Sequence, residues 1–487
     1  MVEVGASIAY TGNKLLKDVA DLDPELTLVP PFATSSNEMD EEALPKGFGI
    51  WNGRSSSKFL LNAGATNPSW LSQMKILYRY NIDILRLQSA VNKALKSFNL
   101  IYDHLESSHT KSFYDTAHDM WEAIGLSSLA QLSFNEFLDQ IFISSDLPWW
   151  RKLLPYQGNL RKELLEAVNL CNYNQNNDNL NGLVGLISFV PTQGELFSIL
   201  GGNSQLISSA WKQATNTSNQ FCSNRSLFQH VTKRVTTVIS DTNSFEVWSN
   251  DELMGHFDIV ILAAPLQQSR ISFFIQSHHD GAVLQEMPLN GMIDSDIYDA
   301  NEHFHVSPPL PISAITKYTQ VITTVLSNAT VNYSYFHTDK ESFPRSVYLT
   351  SHGKHLDQFQ SMTQITADGV FKLFSSEKLD TTTLNKLFQD GYKVEYVKVW
   401  GGPYGGATPN FGGGGEASKS LPYLLYDGGI AKKGRSDGPA LYYINSIEAT
   451  TATMEISAIG AKSVAKLIAS RLGLLKVSDD DVFSTEL

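Results

Sequence analysis

The stretch LYYINSIEATTATMEISAIGAKSVAKLIA, residues 441–469, passes from a β-rich run into a helical pattern within a few residues. Residues 441–444 favour a strand, and apolar residues then recur at helical spacing, at Ile456, Ile459, Val464, Leu467 and Ile468. Residues 449–453, between the two, are all alanine or threonine. A strand that leads into a helix through such small residues leaves the first helical N–H groups accessible. This junction is typical of a site for an anionic or electron-rich ligand.

Composition narrows the class of protein. With 487 residues, 42% hydrophobic and 11% aromatic, the chain can bury a large core and is expected to form two domains or one large mixed fold. Lysine and arginine total 37 against 50 acidic residues, which gives a net charge of -13. This balance argues against nucleic acid and anionic membrane surfaces as partners and favours a small molecule.

Cysteine and histidine give no metal signature. The two cysteines, Cys171 and Cys222, lack the spacing of metal ligands, and the twelve histidines form no ligand pair, so no metal is predicted. Whether the two cysteines pair is left open. The apolar runs at 182–190 and 257–266 are too short to cross a bilayer, so no transmembrane segment is predicted.

The middle of the chain reads as an α/β protein. Residues 198–214 predict a glycine turn followed by a helix, and residues 234–250 predict a hairpin of two short strands. FDIVILAAPL, residues 257–266, is nearly all apolar and predicts a parallel strand buried on both faces. Residues 24–50 read as a loop, and residues 70–105 read as a helix whose apolar positions include Met74, Leu77, Leu85 and Leu95.

A second sheet is predicted within residues 310–400, where β-branched and aromatic residues dominate the segments 318–327, 330–338, 346–351 and 392–400. The glycine-rich loop at 401–415 is followed by no helix and does not have the G-x-G-x-x-G spacing, so it is interpreted as a flexible loop rather than a phosphate site. The acidic tail is predicted to be solvated.

In their order along the chain, these segments resemble the prenylcysteine oxidase family of flavoproteins. VEVGASI at the start is similar to the family's E-x-G-G-S-[IV] segment, with Ala6 in place of the second glycine. The other matching blocks are YRYN, the GGN turn, DIVILAAPL and, most specifically, YYINSIEATTATMEISAIGA. The resemblance implies an amine-oxidase-like FAD-binding domain, interleaved with a helical and β-sheet substrate domain.

The resemblance also implies which residues contact the cofactor: Glu3, Gly5, Ala6, Ser7, Gly201, Gly202, Asn203, Val235, Ala264, Pro265, Glu448, Thr453 and Met454. Glu448 would lie near the ribityl or phosphate part, and the amides around Thr453 and Met454 would face the pyrimidine edge. The backbone at Val235 would meet the adenine. Catalytic residues are not identified, although Tyr404, in a segment similar to the family's W-x-x-Y-P loop, is a candidate for the flavin face.

The implied domain bounds follow from these blocks. Residues 1–23, 196–275 and 421–475 would form the FAD-binding domain, residues 50–195 and 300–420 the substrate domain, and residues 24–49 and 476–487 a loop and a tail. The family's opening strand, G-x-G-x-x-G turn and helix do not occur in this sequence. The chain is therefore interpreted as N-terminally truncated, which raises the question whether it holds FAD by itself.

The implied reaction is oxidation of the thioether of farnesyl- or geranylgeranyl-cysteine by O2, with release of a prenyl aldehyde, cysteine and hydrogen peroxide. Two alternatives stay open: a related flavin oxidase acting on another apolar amine or terpenoid, and a flavin-free binding protein. Location is inferred through the family as the vacuolar or lysosomal lumen, or secreted, for a complete chain. Four glycosylation sequons, at Asn216, Asn224, Asn328 and Asn332, permit it, although the present N-terminus has no signal-peptide pattern.

Overall fold

The computed structural model describes residues 2–5, 8–31, 44–45, 47–54, 58–63, 69–107, 114–143, 158–221, 229–241, 243–277, 283–286, 318–350, 359–401, 408–409, 422–428 and 438–475. The chain divides into two compact units. The first contains Met1–Lys96, Leu132–Gln220 and Lys317–Gly413, and the second contains Ser97–Gln131, Phe221–Thr316 and Gly414–Leu487. This is not the predicted division into cofactor and substrate domains, which stays a prediction.

A seven-stranded sheet is the largest element of the first unit. In sheet order its strands are β17 (Lys393–Val399), β13 (Ile322–Ser327), β16 (Val370–Ser375), β15 (Ser361–Thr366), β14 (Ser346–Leu349), β3 (Phe48–Trp51) and β4 (Leu61–Asn62). All neighbours are antiparallel except β14 and β3, which are parallel. A three-stranded sheet of β1 (Ala9–Tyr10), β5 (Leu196–Ile199) and β2 (Leu28–Val29), and the pair β12 (Tyr318–Thr319) and β18 (Thr408–Pro409), complete its described strands.

The two faces of the seven-stranded sheet differ in chemistry. One face carries the aromatic-rich core of this unit, in which Phe371 and Leu373 of β16 pack with Trp51. Because strand side chains alternate between faces, Lys372 of β16 belongs to the opposite face. Its register partner on β15 is Thr363, whose hydroxyl lies 3.1 Å from that of Ser346. A polar face with one buried ammonium therefore lies opposite the apolar core.

Helices account for most of the other described secondary structure. Those of the first unit are α1 (Lys14–Asp21), α2 (Ser69–Tyr80), α6 (Phe134–Phe142), a π-helix (Leu160–Leu165) continued by α7 (Glu166–Tyr173), α8 (Gly182–Ile187), a 3-10 turn (Val190–Gln193), α9 (Ser204–Phe221) and α11 (Thr381–Leu387). The boundary between the units falls within α3 (Asp83–Glu106).

The second unit has two sheets. A five-stranded sheet has the order β11 (Val283–Glu286), β10 (Ser272–Ser277), β6 (Thr237–Ser240), β7 (Phe245–Ser249) and β8 (Glu252–Phe257). A three-stranded sheet has the order β19 (Leu424–Asp427), β20 (Ala440–Tyr443) and β9 (Ile259–Leu262). The helices wholly within this unit are α4 (Ala117–Ala123), α5 (Ser127–Gln131), α10 (Leu266–Ser269), a 3-10 helix (Ile444–Ala449) and α12 (Met454–Arg471).

The structure confirms the α/β class and several predicted elements. The glycine turn and following helix correspond to α9, the hairpin to β6 and β7, and the closing strand and helix to β20 and α12. Strand β9 is parallel to β20, as predicted for a parallel strand. The prediction that β9 is buried on both faces is wrong, because it is an edge strand of its sheet and Ile261 is 46% exposed.

Three other expectations are corrected. Residues 330–338 form turns rather than a strand, because their aromatic side chains, Phe336 among them, pack into the core beside Trp51. The loop prediction for residues 24–49 misses β2 and the start of β3. The predicted helix at 70–105 is two helices broken after Tyr80. Its buried apolar positions include Tyr80, Leu87, Val91, Ile101, Tyr102 and Leu105, whereas Met74, Leu77 and Leu85 are exposed.

Candidate functional site

The N-terminal segment Glu3–Gly5 is held to the polar face of the seven-stranded sheet. Thr323 Oγ1 donates a hydrogen bond to the carbonyl oxygen of Val4 at 3.0 Å. Lys372 Nζ donates to the carbonyl oxygens of Glu3 and Gly5 at 3.0 and 3.3 Å. Because three successive carbonyls accept side-chain hydrogen bonds, the position of this segment relative to the sheet is fixed.

Glu3 also contacts the glycine turn. Gly201 and Gly202 have φ values of +85° and +100°, a backbone conformation that favours glycine. The turn directs the N–H of Asn203 to Glu3 Oε2 at 2.9 Å, and α9 begins at the next residue. The structure therefore brings together the predicted residues Glu3 and Asn203, with Gly5 on the same segment.

Trp400 lies directly against Gly5. A Cβ atom added to Gly5 would be 3.1 Å from Cη2 of the Trp400 ring, so the close approach of ring and backbone favours glycine. The indole Nε1 donates to Thr323 Oγ1 at 2.8 Å, the same hydroxyl that binds Val4. The indole ring is thus part of the network that fixes the N-terminal segment.

In the second unit, two parallel strands end at the same edge of the three-stranded sheet. Ala264 and Pro265 follow β9, and Glu448 lies in the 3-10 helix that follows β20. Asn445 Nδ2 donates to the carbonyl of Ala263 at 3.4 Å and links the two strand ends. The carboxyl edge of parallel strands is where α/β proteins place their ligands.

The junction quoted above opens helix α12 close to this edge. Thr453 is the N-cap residue, and its side chain accepts a hydrogen bond from the N–H of Ile456 at 3.2 Å. Gly460, one and a half turns into the helix, packs on the 3-10 helix so closely that an added Cβ would be 2.8 Å from the carbonyl oxygen of Ile444. The first turns of α12 are therefore fixed against the 3-10 helix by backbone contact.

Two buried aromatic side chains support the junction from α3 and α4. Tyr102 OH donates to Glu455 Oε1 at 2.7 Å. Trp121 Nε1 donates to Thr450 Oγ1 at 2.8 Å, and that hydroxyl donates to the carbonyl of Ile447. These two hydrogen bonds, from Tyr102 of α3 and Trp121 of α4, therefore hold Glu455 and Thr450 in place.

Removing one of these bonds should loosen the junction. We expect Tyr102→Phe to lower the free energy of unfolding by about 1–2 kcal/mol, because a buried charge-assisted hydrogen bond is lost while the ring stays in place. Urea denaturation measures the change. The control is Tyr392→Phe, which removes an exposed hydroxyl bonded to Asn385 and should change stability little. Equal losses in the two variants would contradict the role given to Tyr102.

Glu448 is a half-buried carboxyl that has no ion-pair partner among the described residues. Burial raises the pKa of its carboxyl to about 7, so the group titrates near neutral pH. Tyr443 at the end of β20 is buried as well, burial raises its pKa, and its hydroxyl accepts a hydrogen bond from the N–H of Leu266 at 3.3 Å. Glu448 is thus a half-buried carboxyl just beyond β20 that holds one proton with intermediate affinity.

The residues of this edge fit the flavin that the resemblance implies. Thr451 is fully buried, and its hydroxyl has no hydrogen-bond partner among the described residues. Ala449 and Ala452 add little bulk beside the first turn of α12. A buried hydroxyl without a partner among the described residues, small side chains and the positive end of a helix dipole together suit a planar, electron-rich ring that gains negative charge.

The predicted cofactor residues fall into two groups, one in each unit. Glu3, Gly5 and the turn at 201–203 belong to the first unit, and Val235, Ala264, Pro265, Glu448, Thr453 and Met454 belong to the second. Val235 packs against the core of the second unit that also contains Leu262, Leu266 and Tyr443. Ala6, Ser7, Tyr404 and Cys222 lie outside the described residues, so those predictions stay untested.

Sequence reasoning missed several residues of these sites, among them Thr323, Lys372, Tyr102 and Trp121. Lys372 stands alone between apolar neighbours in VFKLFS, residues 370–375, a pattern that predicts an inward-facing charge once the strand is recognised. Tyr102 and Trp121 are isolated aromatic residues within helical patterns, which ordinarily predicts core packing. Their hydrogen bonds to the junction depend on tertiary structure alone.

Among the described residues, no group of three histidine, cysteine, aspartate or glutamate side chains could hold a metal ion. No helix within the described ranges is long and apolar enough to cross a membrane.

The parallel strand ends and the helix start define an α/β protein with a candidate ligand site at the carboxyl edge of its strands. Comparisons with known proteins identify the family. The sequence profile described as prenylcysteine lyase matches residues 64–287 and 282–479. Farnesylcysteine lyase of Arabidopsis thaliana is 23% identical over 481 residues, which cover 96% of this chain and 77% of that protein. Prenylcysteine oxidase 1 of Rattus norvegicus is 25% identical over 445 residues, 86% of this chain and 72% of the rat protein.

Because the profile matches well over half of the chain, the protein belongs to the prenylcysteine lyase family. This confirms the resemblance found in the sequence. Among solved structures, cyclohexylamine oxidase from Brevibacterium oxydans aligns with a TM-score of 0.47 at 9% identity, covering 97% of this chain and 88% of that one.

Proposed function

We propose that the protein is a flavin-dependent oxidase that cleaves the thioether of prenylcysteine. The observation that carries the proposal is the junction at residues 449–453, where α12 begins and the buried Thr451 hydroxyl has no hydrogen-bond partner among the described residues, in a chain of the prenylcysteine lyase family. The reaction converts prenylcysteine, water and O2 into a prenyl aldehyde, cysteine and hydrogen peroxide. The bound flavin supplies the acceptor for the hydride from the prenyl C1 carbon.

The chain's own residues would bind the flavin and stabilise the charge that develops on it. The N-terminal amides of α12 place positive potential where negative charge develops during reduction, and Thr453 fixes the helix start. Tyr102 and Trp121 keep the junction in position through Glu455 and Thr450. Because these groups are fixed before the reaction, they need not reorganise as charge forms.

FAD rather than a mononucleotide is the proposed cofactor. Ala264 and Pro265, just after β9, and Val235, just before β6, extend the candidate contacts away from the junction, within one unit. Comparing the dissociation constants of FAD and FMN tests this; tighter binding of FMN would contradict it.

Turnover of a defined substrate tests the activity. With FAD present, the purified chain should release hydrogen peroxide, free cysteine and aldehyde in equal amounts from S-farnesylcysteine. An amine or a terpenoid alcohol, supplied separately, should give no peroxide. Peroxide from one of those substrates alone would favour the related-oxidase alternative, and FAD binding with none of the products from any substrate would overturn the proposed reaction.

The proposed location is a vacuolar or lysosomal lumen, or the extracellular space. The sequon asparagines Asn328 and Asn332 differ in their surroundings: Asn328 is exposed with a φ of 51°, whereas the Nδ2 of Asn332 donates to the carbonyl of Lys386 at 3.1 Å. Asn328 is therefore the better glycan acceptor of the two. Expression from the native host followed by glycosidase digestion tests the proposal, and an unmodified Asn328 in a cytosolic fraction would contradict it.

A further inference from the structure

Lys372 is the feature of the first unit that the proposed function does not use. It lies on a central strand of the seven-stranded sheet and is 5% exposed. A lysine ammonium is costly to bury, and this one makes no ion pair within the described part of the chain. Something must therefore compensate the charge.

The compensation comes mainly from the segment Glu3–Gly5. Lys372 Nζ donates to the carbonyl oxygens of Glu3 and Gly5 at 3.0 and 3.3 Å, and it lies 5.2 Å from the centre of the Phe374 ring. Burial lowers the pKa of Lys372, and the electrostatic influence of Cys171 and of the Glu3 carboxyl opposes that shift. The ammonium and the segment thus stabilise each other.

From these contacts we infer that Lys372 is a positioning residue for cofactor binding, which acts by holding Glu3–Gly5 against the sheet. The inference rests on the proposed function and on the prediction that Glu3 and Gly5 contact the cofactor. The carbonyls point to the lysine, so the backbone of Gly5 is presented in one orientation. Without the ammonium, the side-chain and turn hydrogen bonds left to the segment among the described residues are those from Thr323 and Asn203.

Trp400 provides a signal specific to this segment. Its ring lies against Gly5, so movement of the segment changes the surroundings of the indole. In the full chain without flavin, Lys372→Met should shift the fluorescence emission of Trp400 to longer wavelength. The emission of Trp400 is obtained by subtracting, for wild type and for Lys372→Met, the spectrum of the matching protein that also carries Trp400→Phe. Hydrogen exchange of the amides near residues 3–5 should become faster in the same variant, since the segment is less restrained.

A matched control is available on the neighbouring strand. Thr363→Val removes a polar group from the same sheet face at the register position opposite Lys372, but that hydroxyl bonds to Ser346 rather than to the segment. Thr363→Val should leave both signals unchanged. FAD affinity should fall about ten- to hundredfold in Lys372→Met and remain near the wild-type value in the control.

Different outcomes contradict the positioning role of Lys372 and the proposed oxidase function. Unchanged emission and exchange in Lys372→Met overturn the positioning role whether or not the chain binds flavin. Changed emission and exchange with unaltered FAD affinity overturn its relevance to the cofactor, while the proposed oxidase stands. If the wild-type chain binds no FAD, the proposed function fails, and the emission and exchange measurements still decide whether Lys372 holds the segment.

Discussion

Gly460→Ala should lower the free energy of unfolding by about 3 kcal/mol, because the new methyl group would lie 2.8 Å from the carbonyl oxygen of Ile444. Alanine is the better helix former by about 1 kcal/mol, so the loss is the net of a favourable propensity and a larger clash. A backbone carbonyl cannot rotate away as a side chain can, and α12 would have to move away from the 3-10 helix. The junction at residues 449–453 would move with it, so flavin uptake should also be lost.

The neighbouring position separates the clash from a general effect on the helix. Ala461 is exposed, and Ala461→Ser adds one heavy atom at a solvent-facing position of α12. This control should change the unfolding free energy by less than about 0.7 kcal/mol, the scale of helix propensity. Urea denaturation and flavin titration measure both variants. Retention of wild-type stability and flavin binding by Gly460→Ala would show that the close packing is not required.

Glu448→Gln should stabilise the flavin-free protein at alkaline pH. Burial raises the pKa of this carboxyl to about 7, above the ordinary value of 4.5. Between these two values the folded state keeps a proton that the unfolded state has lost, so the free energy of unfolding decreases as pH rises through this window. A neutral glutamine removes this penalty, and at pH about 8 the gain should be about 2 kcal/mol after allowance for the partial exposure of the side chain.

The pH dependence provides the internal comparison. At pH about 4.5 the carboxyl is largely protonated when folded, so Glu448→Gln and wild type should have nearly equal stability. Glu122→Gln changes an exposed glutamate in α4 and serves as the control for loss of one negative charge. A gain in Glu448→Gln that is the same at both pH values, or the same in Glu122→Gln, would contradict the burial of Glu448.

The family and the enzyme class could be predicted from the sequence because the closing block is both specific and local. A strand, a small-residue junction and a helix with Ile456, Ile459 and Val464 on its buried side lie within thirty residues, and all three apolar residues are buried as the spacing requires. The glycine turn at Gly201 and Gly202 was predictable for the same reason. Local backbone requirements leave a clear record in sequence.

Contacts between residues that are far apart in the sequence could not be predicted from local patterns. Lys372 meets Glu3 across 369 positions of the chain, and Tyr102 meets Glu455 across 353. No periodicity reports such pairs. Composition was also misleading at residues 330–338, where aromatic residues that favour strands pack as turns in the core, and at β9, where an apolar run forms an edge strand. Tertiary environment decided each of these cases.

The measurement that tests the central claim most directly is the visible absorbance spectrum of the purified 487-residue chain after incubation with FAD and removal of free cofactor. The account predicts the absorbance bands of protein-bound flavin, with bleaching when S-farnesylcysteine is added without oxygen, because the substrate reduces the bound flavin. A colourless protein, or a bound flavin that S-farnesylcysteine does not bleach, would contradict the assignment of this chain as a prenylcysteine oxidase.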